Sequence, residues 1–292
     1  LISEITAEQQ GKLPTHIIPV LNGGGGRLPA HIGVLAAVEQ LGFSYTRLVG
    51  VSGGSIVGSL AAAGYTLEEI RQIANNTDFK QFFGQSLFSL LRTGGLSSGN
   101  VFEQWMDDKL DGRTFADLDT DLHVVATDVR SGQPVIFNKQ DNPDMKVALA
   151  VRFSMSLPIL FSFKEFGGHL MVDGSILSEE ALQRKWGDSS CPVVVFKLRS
   201  TRNTDRRKTS SLMPLKSYLS MLVDTFITTM SREYIHQDYW LSTVVIDTGS
   251  MSPIEFTLNE DEKDRLYSVG YETTSSVLPH KLSRYCQALP GE

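Results

Sequence analysis

An α/β fold built on a mostly parallel sheet is what this sequence predicts, and three observations carry the expectation. Two strand–glycine–helix units follow one another between His16 and Ala62, the usual ingredient of a parallel sheet with helices on its faces. Pro192 to Leu198 is an apolar run broken only by Lys197, the pattern of a strand buried on both faces. A chain of 292 residues is long enough to bury a full-sized core of that class.

Taken in order, His16-Ile17-Ile18-Pro19-Val20-Leu21 reads as a strand, and its proline suits a sheet edge or a strand start. After the glycines, Ile32, Leu35, Ala36 and Val38 repeat at helical spacing until Gly42. Arg47 to Val51 is a second short strand, and Ile56, Val57, Leu60 and Ala61 open a second helix. Thr66-Leu67-Glu68-Glu69 is a capping box that starts another. Gln85 to Asn100, rich in Ser, Gly and Phe, reads as a flap or loop. Leu122 to Thr127 and Pro134 to Phe137 form a hairpin through Ser131-Gly132, and Phe163 to Val172 forms another through Gly167-Gly168. Between them Lys146 to Ser156 is helical and halts before Pro158. Thr201 to Ser211 is polar and basic, Leu215 to Trp240 is amphipathic and helical, Val244 to Ile246 is a last strand, and Asp261 to Leu278 a last helix. No repeat or boundary divides the chain, so one domain over residues 1–292 is expected, with a core of about 16–278.

The formal net charge is −6, which argues against a nucleic-acid polymer as partner. Cys191 and Cys286 are the only cysteines, no disulfide framework, and read as reduced thiols of a cytoplasmic protein. No run approaches the roughly 18 apolar residues of a membrane span. The chain opens on Leu1, not Met, which leaves room for an upstream segment.

Two of the glycine-rich turns suggest chemistry. Gly50-Val51-Ser52-Gly53-Gly54 falls where a short strand meets a small-residue helix, the arrangement of a nucleophile elbow. The plainer alternative is a tight turn with a capping serine. Gly23-Gly24-Gly25-Gly26-Arg27 ends in Arg27-Leu28, without the Gly-Lys-Ser/Thr of a P-loop or the third glycine of a dinucleotide fingerprint. What remains is a loop of backbone donors at a helix N-terminus, suited to an oxyanion or a phosphate. A base is needed as well. His236 and His280 come late enough for a Ser-His-Asp order, yet His236 falls within an amphipathic helical stretch and His280 near the C-terminus, where a surface histidine is the simpler reading. Asp173, in Val172-Asp173-Gly174-Ser175, follows an apolar strand. A carboxylate with a free pKa near ~3.9 becomes a usable base when burial raises that value. An Asp-Gly turn is the alternative there.

Asn22-Gly23-Gly24-Gly25-Gly26-Arg27, Gly50-Val51-Ser52-Gly53-Gly54 and Asp173-Gly174-Ser175 stand in an order and spacing that resemble the patatin-like phospholipases. So do Arg152-Phe153-Ser154-Met155-Ser156-Leu157-Pro158, and Asp247-Thr248-Gly249 ahead of an acidic helix with Gly270. The resemblance implies a three-layer α/β/α sandwich with a mostly parallel central sheet. It also implies hydrolysis of phospholipid or lysophospholipid acyl esters by a Ser–Asp dyad, with no metal or cofactor. Carried over, Ser52 is the nucleophile and Asp173 its base. The N–H groups of Gly24, Gly25 and Gly26 form the oxyanion hole, Arg27 shapes that loop, and Gly50, Gly53 and Gly54 build the elbow. Leu28 replaces the family's usual glycine, and Ser175 its usual small Gly or Ala.

The remaining expectations concern partners. Arg199, Arg202, Arg206, Arg207, Lys208 and Lys216 form one basic cluster, most simply a solvated loop. With Leu215, Leu219, Leu222, Val223 and Phe226 beside it, residues 201–240 also suit a lid or a contact with lipid headgroups. Some bacterial members of the family answer a cyclic oligonucleotide, which makes such an activator a further candidate partner. The resemblance implies action at a membrane surface from the cytoplasm and leaves secretion as a bacterial effector open. Two rival functions stand beside it: a Ser-His-Asp esterase of the α/β-hydrolase type, and a non-catalytic phosphate- or nucleotide-binding module.

Overall fold

A computed structural model describes residues 13–82, 95–174, 186, 191–200, 218, 221, 239–252 and 255–288. Most of the expected amphipathic helix and of the basic cluster lies outside these residues, as do His236, Ser175 and the first ten residues of the Gln85–Asn100 stretch.

Five parallel strands form the spine of the sheet: β1 (Ile18–Asn22), β2 (Arg47–Val51), β4 (Asp121–Asp128), β9 (Val193–Arg199) and β10 (Thr243–Asp247). They stand in the order β10-β9-β1-β2-β4. Three antiparallel strands complete it, namely β5 (Gln133–Phe137), β7 (Lys164–Phe166) and β8 (His169–Asp173). A separate pair is made by β3 (Gly95–Ser97) and β6 (Ile159–Phe161). The stretch expected to be loop up to Asn100 therefore contains a short strand. Gly95 takes part because its backbone runs so close to Ser162 that a Cβ there would lie 2.0 Å from the Ser162 nitrogen.

Side-chain alternation splits the core. Ile17 and Leu21 join the larger apolar cluster, while Ile18 and Val20 face a smaller one with Val49, Val51, Val125, Val195 and Trp186. The helices α1 (Pro29–Gln40), α2 (Gly53–Ala62), α3 (Leu67–Asn76), α4 (Asn100–Lys109), α5 (Val147–Ser154) and α6 (Glu260–Ala288) supply buried residues to the larger cluster. Helix α3 starts at the expected box: Glu69 N–H donates to Thr66 Oγ1 at 3.2 Å, and Thr66 N–H to Glu69 Oε2 at 2.8 Å.

Two further expectations are refined. β1 is a central strand, so of the two places offered for Pro19 the strand start applies and the edge does not. Ile18 N–H bonds the β9 side, through the Pro192 carbonyl, so alternation turns Pro19 toward β2. That ladder begins only at Val20, and the missing donor leaves no gap in it. The last helix does not stop at Leu278 either, but runs through Pro279 to Ala288. Leu282, beyond the proline, is as buried as Leu278 before it, so packing offsets the lost hydrogen bond.

The topology brings two distant segments together. β4 pairs with β2 from Arg47↔Asp121 to Val51↔Val125 and then outruns it. β5 flanks the opposite side of β4. The vacated place next to Ala126, Thr127 and Asp128 is taken by β8, running the other way. β2 and β8 thus meet end to end, Val51 opposite Val125 and Asp173 opposite Ala126.

Candidate active site

Ser52 sits where β2 turns into α2, with φ 53° and ψ −128°. A non-glycine residue at positive φ stores roughly 1–3 kcal/mol of strain. The flanking glycines are needed for space. A Cβ on Gly50 would lie 2.6 Å from Ser55 Cα, on Gly53 2.7 Å from the Gly25 nitrogen, and on Gly54 2.1 Å from the Leu21 carbonyl oxygen. This is the sharp strand-to-helix turn the sequence predicts.

At the end of β8, Asp173 faces that turn. The Ser52 hydroxyl donates to Asp173 Oδ2 at 2.7 Å, and both residues are buried, Ser52 at 2% exposure and Asp173 at 0%. The Asp173 backbone is fixed on both sides: its N–H donates to the Ser156 carbonyl at 3.0 Å, and its carbonyl accepts from Thr127 Oγ1 at 3.0 Å.

The glycine loop lies against the elbow. Gly23 N–H donates to the Val51 carbonyl at 3.1 Å, and Gly54 N–H to the Gly23 carbonyl at 3.0 Å. Gly25–Arg27 form a short 3₁₀ turn with Gly24 as its N-cap at φ 119°. The first N–H groups of such a turn have no intrahelical acceptor. Leu28 takes the α conformation, φ −51°, and simply leads the turn into α1, so a glycine is not required there.

Arg27 is buried and anchors the loop from behind. Its Nε donates to the Gly24 carbonyl at 3.2 Å and its Nη1 to Thr248 Oγ1 at 3.0 Å. Thr248 Oγ1 in turn donates to the Arg199 carbonyl at 3.0 Å. Arg199, counted in the basic cluster, pairs with Asp247 at 3.0 Å. A Cβ on Gly26 would strike the Glu255 carbonyl at 2.0 Å, so this loop is wedged between the elbow and the segment after β10.

A sequence model described as Patatin-like phospholipase matches residues 20–181, which span the glycine loop, Ser52 and Asp173. The chain belongs to the patatin-like phospholipase family. Among relatives of this chain, the uncharacterised protein YqhO of Bacillus subtilis is 26% identical over 287 residues, 90% of this chain and 98% of its own. The neuropathy target esterase sws of Drosophila sechellia is 29% identical over 165 residues, 54% of this chain but 11% of the esterase. In fold, VipD from Legionella pneumophila superposes with a TM-score of 0.60 at 16% identity, over 91% of this chain and 67% of VipD. Family and relatives together support a lipid ester hydrolase. Among the described residues, no helix is long and apolar enough to cross a membrane.

Of the two histidines considered as bases, His236 lies outside the described residues. His280 sits in α6, the helix packed across α1, not at the strand ends where Ser52 and Asp173 meet. Sequence reasoning missed His31. It is fully buried and its Nε2 donates to the Gly23 carbonyl at 3.0 Å, since a carbonyl only accepts. Burial pushes its pKa down to about 4, against the pull of the Gly23 hydrogen bond. The neutral ring therefore serves the loop as a fixed donor. A polar residue two places after Pro29, in a helix otherwise apolar as far as Val38, was the available signal.

Proposed function

We propose that this chain hydrolyses fatty-acyl esters of phospholipids or lysophospholipids through an acyl-enzyme at Ser52. The observation that carries the reading is the 2.7 Å hydrogen bond from a positive-φ serine hydroxyl to a buried carboxylate. In the first half-reaction the Ser52 Oγ attacks the ester carbonyl carbon while its proton passes to Asp173. The charge that develops on the carbonyl oxygen is met by N–H groups of Gly24, Gly25 and Gly26. As the tetrahedral species collapses, Asp173 returns the proton to the departing glycerol oxygen. In the second half, Asp173 takes a proton from water, the hydroxide attacks the acyl-enzyme, and fatty acid leaves as Ser52 recovers its proton.

Hydrolysis of a mixed phospholipid extract tests this, with wild type beside Ser52→Ala and Asp173→Asn. Fatty-acid release should fall by about 10³-fold or more in each variant while the thermal transition persists. Full activity in Asp173→Asn overturns the dyad. The same assay run with vesicles, and with cyclic oligonucleotides added, reads whether a membrane surface or an anionic activator raises the rate.

A further inference from the structure

We infer that Ser154 is a positioning residue for the nucleophile: its hydroxyl fixes the backbone amide of Ser52 and thereby aims the Ser52 side chain at its partner carboxylate. This rests on the reading of Ser52 as nucleophile.

Ser154 is the last residue of α5, and it is buried. Its hydroxyl donates to the Val125 carbonyl at 2.6 Å and accepts the Ser52 N–H at 2.8 Å. Neither direction can be reversed, because a carbonyl only accepts and an amide only donates. The single hydroxyl proton is thus committed to β4, and a lone pair is left facing Ser52. Val125 is the residue opposite Val51, the last ladder position before β2 gives way to the elbow. The Ser154 hydroxyl takes over there, holding Ser52 to β4 just where the strand's own pairing stops.

That grip matters because Ser52 is at φ 53°. A residue in that region persists only when its surroundings over-determine it. Two residues tie its backbone, Ser154 through the amide and Ser55 through the carbonyl, the latter accepting both Ser55 N–H at 2.8 Å and the Ser55 hydroxyl at 2.6 Å. Without the Ser154 hydroxyl, the Ser52 amide is a buried donor with no acceptor, and rotation toward a relaxed conformation would carry the Oγ away from Asp173. The same helix end touches the rest of the pair. Met155 Sδ lies 3.7 Å from the Ser52 Oγ, and the Ser156 carbonyl accepts the Asp173 N–H at 3.0 Å. Three consecutive residues thus reference both halves of the site to one piece of backbone.

The test compares wild type, Ser154→Ala, Ser154→Cys and Ser154→Thr, with Ser52→Ala as control. It measures the rate constant for fluorophosphonate labelling of the folded fraction, kcat and KM on a soluble p-nitrophenyl ester, and the thermal midpoint. Ser154→Ala should lower the labelling rate constant and kcat by about tenfold or more, with KM within about twofold of wild type. Ser154→Cys keeps the shape but weakens both hydrogen bonds, and should fall between. Ser154→Thr keeps the hydroxyl and should recover most of the rate. A wild-type rate constant in the folded fraction of Ser154→Ala or Ser154→Cys overturns the inference, whatever the midpoint does. So does a threonine variant no faster than alanine, or a loss confined to KM. Labelling that persists in Ser52→Ala, or that is absent in wild type, is a different failure: it removes Ser52 as nucleophile, and this inference with it.

Discussion

At the scale of single residues, the carbonyl of Gly23 is where loop and elbow are joined, since it accepts both His31 Nε2–H and Gly54 N–H at 3.0 Å. His31 does this while neutral, and a sign follows for stability. Its folded pKa of about 4 lies below the free value of 6.5, so the unfolded chain takes the proton first. The contribution is whole above pH 6.5 and is lost as pH falls toward 4. The shift corresponds to about 3 kcal/mol at most. His31→Gln keeps a donor but cannot titrate, and its denaturation midpoint should change less than that of wild type between pH 6.5 and 4. Thr248 offers a second test. Thr248→Val preserves shape and removes the acceptor of Arg27 Nη1, so ester turnover should drop about tenfold, whereas Thr248→Ser should retain it.

At the scale of elements, the crossing of α1 and α6 is set by backbone contact. A Cβ on Gly33 would lie 2.1 Å from the Tyr267 carbonyl oxygen, and one on Gly270 2.0 Å from that of Ala30. Gly270→Ala should therefore force the helices apart and cost about 1–3 kcal/mol, read as a lower chemical-denaturation midpoint. Because α1 begins at the glycine loop, the same variant should also slow turnover. Much of this scale was legible in the sequence. The glycine positions, the capping box and both hairpins follow from local chemistry, which acts within a few residues. The edge alternative for Pro19 and the helix end at Leu278 failed for the same reason. A proline's local cost is readable, but the neighbour that makes it tolerable, an unpaired stretch beside β1 or buried Leu282 beyond α6's proline, belongs to the tertiary structure. The Ser154 and Thr248 hydroxyls were hidden likewise, since their partners lie 102 and 221 residues away.

For the molecule as a whole, acid should be the weak side. The His123 ring nitrogen 3.2 Å away and then the Arg47 guanidinium at 2.6 Å hold Asp121 down to about 2. Bonds from His169, Ser131 and the Leu170 amide hold Asp128 well below the usual carboxylate range. Both are depressed carboxylates, so what they add is present above pH ~4 and fades as they protonate below it. With His31 acting at higher pH, the denaturation midpoint should fall in two stages between pH 7 and 2. In Asp121→Asn the lower stage should shrink while the upper one is kept.

The end-to-end meeting of β2 and β8 along β4 has a consequence for how such a chain can vary. Ser52 and Asp173 are 121 residues apart, yet their separation is set by one step of a single ladder, Val125 to Ala126. Segments inserted or deleted in the intervening loops leave that step untouched. A slip of β8 by one residue along β4, by contrast, would turn Asp173 to the opposite face of the sheet. The proposed pair is therefore insensitive to the length of the loops that separate it and acutely sensitive to strand register. New lids or recognition segments can be spliced into that interval without retuning the chemistry.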